Sequence, residues 1–73
     1  MRAFSIRLFR RSDGMVRASF PDVPAAVAYG RDDSEAFANA RRALCRALAR
    51  YAELGFEPPV PRARGEPMVY ADC

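Results

Sequence analysis

The stretch FPDVPAAVAYG (residues 20–30) decides how this chain folds. Pro21 and Pro24 each fix φ and lack a backbone N–H donor, so one strand must close at Phe20 and another can begin only after the corner. Gly30 then ends the second run just before a cluster of acidic residues. The stretch therefore predicts a strand, a rigid corner and a second strand.

The segment before the corner predicts a β-hairpin. Apolar and polar side chains alternate over residues 4–10, and the alternation resumes over residues 15–20. Between these runs, Asp13-Gly14 favours a tight turn, because glycine accepts a positive φ and aspartate tolerates it. With a short run at residues 25–29, the sequence predicts three antiparallel strands.

Residues 32–55 predict one amphipathic helix. Asp32 can accept amide hydrogens of the first turn, and Glu35, three residues later, can complete a capping box. Gly55 can adopt the left-handed conformation that ends a helix. The apolar side chains between these ends recur every three or four residues: Phe37, Ala40, Leu44, Ala47, Leu48, Tyr51 and Leu54. This spacing predicts one apolar stripe that packs on a sheet.

The remaining chain predicts a closing strand. The proline-rich segment FEPPVPRARGEP (residues 56–67) cannot continue the helix, and Met68–Ala71 is a short apolar run. A single α+β domain over residues 1–73 follows, with the element order βββαβ. We expect strand four to lie beside strand one and parallel to it after a right-handed crossover. The predicted sheet order is 3-2-1-4, with the helix packed on one face.

Composition sets limits on the function. A chain of 73 residues makes one small domain, which buries only about 60% of its unfolded surface and gains stability from a partner. There is neither a signal peptide nor an apolar run long enough to cross a membrane, so a cytoplasmic protein is expected. The two cysteines are far apart in sequence and predict neither a disulfide nor a metal site. All 12 basic residues are arginine, but a net charge of +3 does not establish a nucleic-acid partner.

Catalytic residue types are scarce. The sequence has no histidine, the commonest general base. Asp32, Asp33 and Glu35 could be read as metal ligands, but their position at a helix N-terminus favours capping. Cys45 has no neighbouring histidine to activate it, and the glycines form no phosphate-binding loop. The chain is predicted to be non-catalytic, without a cofactor or metal.

Two surfaces are candidate binding sites. The sheet face opposite the helix is expected to carry Arg7, Phe9, Met15 and Arg17 with nothing from this chain covering them, and Tyr70 would extend it. Aromatic, methionine and arginine side chains are typical of protein contacts. The second surface is a helix ridge formed by Arg42, Arg46 and Arg50. This ridge is either a solvated helix face or a site for phosphates.

Several short motifs follow one another along the chain in a specific order. They are Asp13-Gly14, Phe20-Pro21-Asp22-Val23-Pro24, Gly30, Glu35-Ala36 with Asn39-Ala40, Ala43-Leu44, and Gly55 followed by Pro58-Pro59-Val60-Pro61. In this order and spacing, nearly the whole chain resembles the N-terminal domain of HicB antitoxins. These are the partners of the small HicA ribonuclease toxins in bacterial toxin–antitoxin pairs.

The resemblance implies a partial ribonuclease H-like fold and a function. It implies a non-catalytic antitoxin that binds and neutralises a small HicA-type mRNA-interferase toxin by covering its active site. The alternatives are a small Arg-rich nucleic-acid-binding protein and an orphan HicB-like protein with a different partner. Since no DNA-binding segment follows residue 73, direct DNA binding is not expected. A homodimer or larger oligomer is expected from the exposed sheet edges.

Overall fold

The computed structural model describes residues 2–73 as an α+β fold, the predicted class. Within these residues lie five strands and one helix. Their bounds are β1 (Arg2–Ser5), β2 (Arg7–Arg10), β3 (Val16–Phe20), β4 (Val23–Gly30), α1 (Asp33–Glu53) and β5 (Met68–Ala71). No helix in the described part of the chain has the length and apolarity needed to cross a membrane.

The predicted sheet is divided in two. The first predicted strand is interrupted at Ile6, which separates β1 from β2. β1 pairs with β5, whereas β2, β3 and β4 form an antiparallel three-stranded sheet in that order. Each strand thus has the neighbours that the order 3-2-1-4 requires, but in two sheets. The ribonuclease H-like character of the fold stays a prediction.

The closing strand β5 runs antiparallel to β1, so the predicted parallel pairing is wrong. The reason is the path of the proline-rich segment. Arg2 Nη1 donates to the carbonyl of Pro59 (3.3 Å), and Ser5 Oγ donates to the carbonyl of Gly65 (3.0 Å). The proline-rich segment therefore runs beside β1 in the same direction as β1, from Arg2 to Ser5. Because β5 begins at the Ser5 end, it must run antiparallel to β1.

The proline corner joins β3 to β4 through Pro21 and Asp22. β4 begins at Val23, earlier than predicted, so Pro24 lies inside a strand. The missing N–H is tolerated because, among the described residues, β4 pairs only with β3 and leaves its other edge open. The Asp22 carboxylate accepts the backbone N–H groups of Arg62 (2.9 Å) and Ala63 (2.8 Å). The corner thus holds the segment that returns to β5.

Replacing Asp22 with alanine should release this segment. Loss of the two charge-assisted hydrogen bonds should lower the free energy of unfolding by about 1–2 kcal/mol, the lower part of the usual range since the site is partly exposed. Urea denaturation measures the loss, and hydrogen exchange at the Arg62 and Ala63 amides locates it. Asp22→Asn, which keeps an acceptor oxygen, should recover part of the stability. Unchanged exchange at both amides in the alanine variant would contradict this role.

The helix α1 packs its apolar stripe on the sheet, as predicted. Its buried positions are mostly small: Ala36, Ala40, Ala43, Leu44 and Ala47. Small side chains let the helix backbone approach β4 closely. Phe4, Ile6, Phe20 and Val69 complete the core from the strands. Leu54, the last residue of the predicted stripe, is exposed.

The predicted residues cap both helix ends, but Glu35 bonds the backbone of Arg31 and not that of Asp32, as a capping box would require. Asp32 Oδ1 accepts the Glu35 N–H (2.8 Å), and Glu35 Oε1 accepts the Arg31 N–H (2.8 Å), one residue before the cap. The hydrogen bond from the Arg31 backbone is the main cause that lowers the pKa of Glu35. At the other end, Gly55 has φ +77°, and its N–H bonds the carbonyl of Ala52. A left-handed glycine at this position is the usual helix stop.

Cys45 of α1 and Cys73 form a disulfide, with their Cα atoms 5.7 Å apart. The prediction that the two cysteines form no disulfide is therefore wrong. The antiparallel return of β5 brings the end of the chain back against the helix, and the Arg41–Asp72 ion pair (3.0 Å) lies beside it. Because the direction of β5 was predicted wrongly, this proximity could not be foreseen.

Candidate protein-binding face

The three-stranded sheet has one side packed on α1 and one side turned away from it. The register places Phe9 of β2 opposite Arg17 of β3, and Arg17 opposite Tyr29 of β4. The neighbouring row in the same register is Arg7, Ser19 and Val27. Alternate residues of a strand share one side, and the intervening Ala18 and Ala28 are buried towards the helix. We call the side that carries these two rows the open face.

Aromatic rings and guanidinium groups alternate on the open face. Phe9 is 64% exposed and Tyr29 is 43% exposed, with the half-buried Arg17 between them. The guanidinium of Arg11 lies 5.4 Å from the centroid of the Tyr29 ring, within the range of a cation–π contact. Large exposed aromatics on a sheet are costly to leave in water and are typical of contact surfaces.

Arg7 is positioned by the chain itself. Its Nη1 donates to Ser5 Oγ at 2.8 Å, and this hydroxyl in turn donates to the carbonyl of Gly65. Ser5 is only 1% exposed. The exposed Arg7 is therefore held by a buried hydroxyl, which reduces the entropy that it would lose on binding.

Met15 lies at the margin of the open face. Its N–H donates to Asp13 Oδ1 (3.0 Å), and its carbonyl accepts the Arg11 N–H (2.7 Å), so it closes the hairpin turn. It is half-buried, and strand alternation puts it on the same side as Arg17. The structure thus brings together the predicted residues Arg7, Phe9, Met15 and Arg17.

Tyr70 belongs to the other sheet. It pairs with Ala3 in the β1–β5 sheet and is 61% exposed. In that sheet, the prediction of an uncovered face is wrong, because residues 61–65 line a cavity with Ala3 and Met68. Ser5, on this side, is buried against Gly65. The open face is therefore limited to β2, β3 and β4.

Two residues of the open face were not predicted from the sequence. Tyr29 and Arg11 were not proposed as contact residues. The signal for Tyr29 was present in the alternation of Val27, Ala28 and Tyr29, which assigns the tyrosine to the side opposite Ala28. Arg11 lies in the hairpin turn, where strand alternation no longer indicates on which side of the sheet a side chain lies.

The three arginines of the predicted helix ridge are all exposed on α1. Arg42 donates to Asn39 Oδ1, and Arg50 lies 3.9 Å from Glu53. Arg46 and Arg50 border a groove beside β4. Phosphate binding by this ridge stays a prediction.

The acidic cluster at the helix start is accounted for by local contacts. Asp32 and Glu35 form the cap, and Asp33 Oδ1 lies 3.7 Å from Arg10 Nη2. Within residues 2–73, no three histidine, cysteine, aspartate or glutamate side chains are grouped as metal ligands would be. Asp32 and Glu35 thus cap the helix, and Asp33 pairs with Arg10.

The fold is similar to the crystal structure of the N-terminal domain of the Burkholderia pseudomallei antitoxin HicB, with a TM-score of 0.68. This chain has a HicB-like fold. The two sequences are 23% identical, and the match covers 77% of this chain and 66% of that one. Less than two thirds of the known structure is therefore matched. No family model matches the chain, and no curated protein is significantly similar to it.

Proposed function

We propose that this chain is a non-catalytic, antitoxin-like module that binds and neutralises a small HicA-type mRNA-interferase toxin through the open face. The observation that supports this most is the row of Phe9, Arg17 and Tyr29 across three adjacent strands of a HicB-like fold. A protein that covers a toxin's active site needs a contact surface and no reactive groups of its own.

The composition of the open face supports a protein partner. Tyrosine and arginine are the side chains most often found to dominate binding energy at interfaces, and phenylalanine is enriched there. Phe9 and Tyr29 supply the apolar area, and Arg17 between them supplies donors for a carboxylate.

The positive charge of the open face indicates which chemical groups the partner's contact surface carries. Arg7, Arg11 and Arg17 make the open face positive, and the nearby carboxylate of Asp13 is already paired with Arg11 at 3.5 Å. We infer that the toxin's contact surface carries carboxylates around an apolar centre, because complementary charge gives orientation and speeds association.

Co-expression tests this proposal. Expression with the small toxin encoded beside its gene should restore growth, and the two proteins should purify together. Arg17→Glu should abolish both effects, because it reverses a charge in the middle of the row. Arg42→Glu, the same change on the exposed helix surface, should leave both intact. Absence of a complex with the unmodified chain would refute the proposal.

Oligomerisation belongs to the same proposal. A homodimer that pairs exposed strand edges was predicted from the sequence and stays a prediction. Sedimentation of the chain alone and with the toxin measures the state directly.

A further inference from the structure

The Cys45–Cys73 disulfide lies at the surface, beside a groove of mostly cationic side chains. Cys73 is exposed, whereas Cys45 is half-buried on α1. The polar side chains that line the groove with Cys45 are Arg41, Arg42, Arg46 and Asp72. The bond is therefore accessible from solvent on its Cys73 side, and a charged small molecule that approaches it meets these arginines.

Two of the groove arginines keep their charge free. Arg41 is neutralised by Asp72, whose two carboxylate oxygens each accept a hydrogen bond of 3.0 Å from it. Arg42 donates to the neutral side chain of Asn39. In the part of the chain that the structure describes, neither Arg42 nor Arg46 forms an ion pair with a carboxylate. The groove therefore attracts anions.

Thiol chemistry favours attack on the Cys73 sulfur. A thiolate breaks a disulfide by attacking one sulfur atom, and the other sulfur leaves as a thiolate. Cys73 is the more accessible of the two, and neighbouring cationic side chains stabilise the thiolate that leaves on Cys45. A second small thiolate then attacks the mixed disulfide on Cys73. The protein gains two electrons and two protons, and the two small thiols become one small disulfide.

The disulfide fastens β5 to the helix. β5 pairs with β1 over four residues, and Val69 is its one buried side chain. A two-stranded pair of this kind is marginally stable without other contacts. The two cysteines are 28 residues apart, and the loop that they close contains the proline-rich segment and β5. We expect β5 to depend on this bond more than the three-stranded sheet does.

The chain before β5 is connected to the open face through β1. Ile6 donates its N–H to the carbonyl of Pro67 (3.1 Å), and Ser5 Oγ donates to the carbonyl of Gly65 (3.0 Å). The same Ser5 hydroxyl accepts the hydrogen bond that positions Arg7. Release of β5 therefore loosens the contacts that hold Arg7.

We propose that Cys45–Cys73 is a reversible redox site, which an anionic low-molecular-weight thiol reduces and the corresponding small disulfide re-forms. The carboxylate of the thiol binds Arg42 and Arg46 while its sulfur attacks Cys73. Reduction releases β5 and loosens Arg7 on the open face. Small thiols keep accessible disulfides reduced in the cytoplasm, the compartment that the sequence predicts. The inference concerns this chain alone and does not rest on the proposed function.

The first test compares two small thiols of opposite charge, 3-mercaptopropionate and cysteamine, on the oxidised chain. Alkylation traps the protein thiols, and mass spectrometry follows their appearance. Rates are expressed per thiolate and relative to reduction of the neutral hydroxyethyl disulfide, which removes the intrinsic difference between the two thiols. At low ionic strength, 3-mercaptopropionate should then react at least about five-fold faster than cysteamine, and added salt should reduce this ratio.

Arg46→Glu tests the groove itself. It should bring the ratio of the two rates close to one, because it replaces a free positive charge with a negative charge. Arg64→Glu, the same change at an exposed position outside the groove, should alter the ratio by less than about two-fold.

Hydrogen exchange in the oxidised and reduced chains tests the release of β5. Reduction should accelerate exchange of the Ile6 amide, which donates to Pro67, at least about ten-fold. The Gly14 amide, which donates to the Arg11 carbonyl in the hairpin turn, should change by less than about two-fold. Cys73→Ser should show the same exchange at Ile6 as the reduced chain.

Four results would overturn the inference. These are equal relative rates for the two thiols, a ratio that Arg46→Glu leaves unchanged, an Ile6 amide that reduction does not affect, and equal acceleration at Ile6 and Gly14. The thiol rates are measured on the folded, oxidised chain, so they decide even if Cys73→Ser does not fold. None of these measurements involves the toxin, so their failure would leave the proposed function intact.

Discussion

Replacing Gly30 with alanine should lower the free energy of unfolding by about 3 kcal/mol or more. Gly30 ends β4 where the first turn of α1 passes directly over it. A Cβ at this position would overlap the Ala36 amide nitrogen, and it would lie 2.7 Å from Ala36 Cα and 2.8 Å from the Glu35 carbonyl carbon. These are backbone atoms of a capped helix, so no side chain can rotate away to make room.

Gly14→Ala is the matched control for this change. Gly14 has φ +87°, and no atom lies within 4 Å of the place where an alanine Cβ would stand. Gly14→Ala should therefore lower the free energy of unfolding only through the unfavourable backbone conformation, by about 1–2 kcal/mol. Urea denaturation of both variants measures the difference. Equal losses of unfolding free energy in Gly30→Ala and Gly14→Ala would contradict the close approach of β4 and α1.

The close packing of Gly30 against α1 also positions its neighbour Tyr29, an aromatic residue of the open face. Asn39 Nδ2 of α1 donates to the Tyr29 carbonyl at 2.8 Å, next to the Gly30 contact. The helix therefore fixes the end of β4 that carries one aromatic of the open face. A partly folded Gly30→Ala protein should bind the toxin more weakly.

Replacing Phe9 with alanine should weaken toxin binding about 30-fold or more, the effect of losing an interfacial hot spot. Phe9 is 64% exposed and stands next to Arg17 in the aromatic and arginine row, so a partner that covers the row would bury most of the ring. Because the ring is exposed in the isolated chain, its removal should change the free energy of unfolding little.

Phe56→Ala is the control for Phe9→Ala. Phe56 is 61% exposed, a nearly equal value, but it lies after the helix beside the β4 groove. Titration calorimetry with the toxin should show binding by the Phe56 variant close to that of the unmodified chain. Equal losses in the two variants would mean that the open face is not the contact.

Local chemistry explains which elements could be predicted from the sequence. The Asp13-Gly14 turn, the Asp32 cap and the Gly55 stop each depend on residues within one turn of the chain. The path of residues 56–67 depends instead on distant contacts, such as those from Asp22 and Ser5. Prolines indicate that this segment is not helical but give it no direction, so β5 was predicted to run the wrong way.

The same limit applies to the candidate site. Alternation along β2 and β3 identified Arg7, Phe9 and Arg17 correctly as neighbours. It gave no sign that the sheet divides at Ile6, which puts Tyr70 in the other sheet. A contact role for Tyr70 stays a prediction. The Cys45–Cys73 bond was missed for the related reason that β5 returns along β1.

The central claim is that the open face is where a partner binds. NMR cross-saturation from the toxin to this chain in their complex tests it most directly. The largest intensity losses should fall on Arg7, Phe9, Arg17 and Tyr29. Losses confined to α1 around Arg42, or to Tyr70 of β5, with the open face unaffected, would contradict the claim.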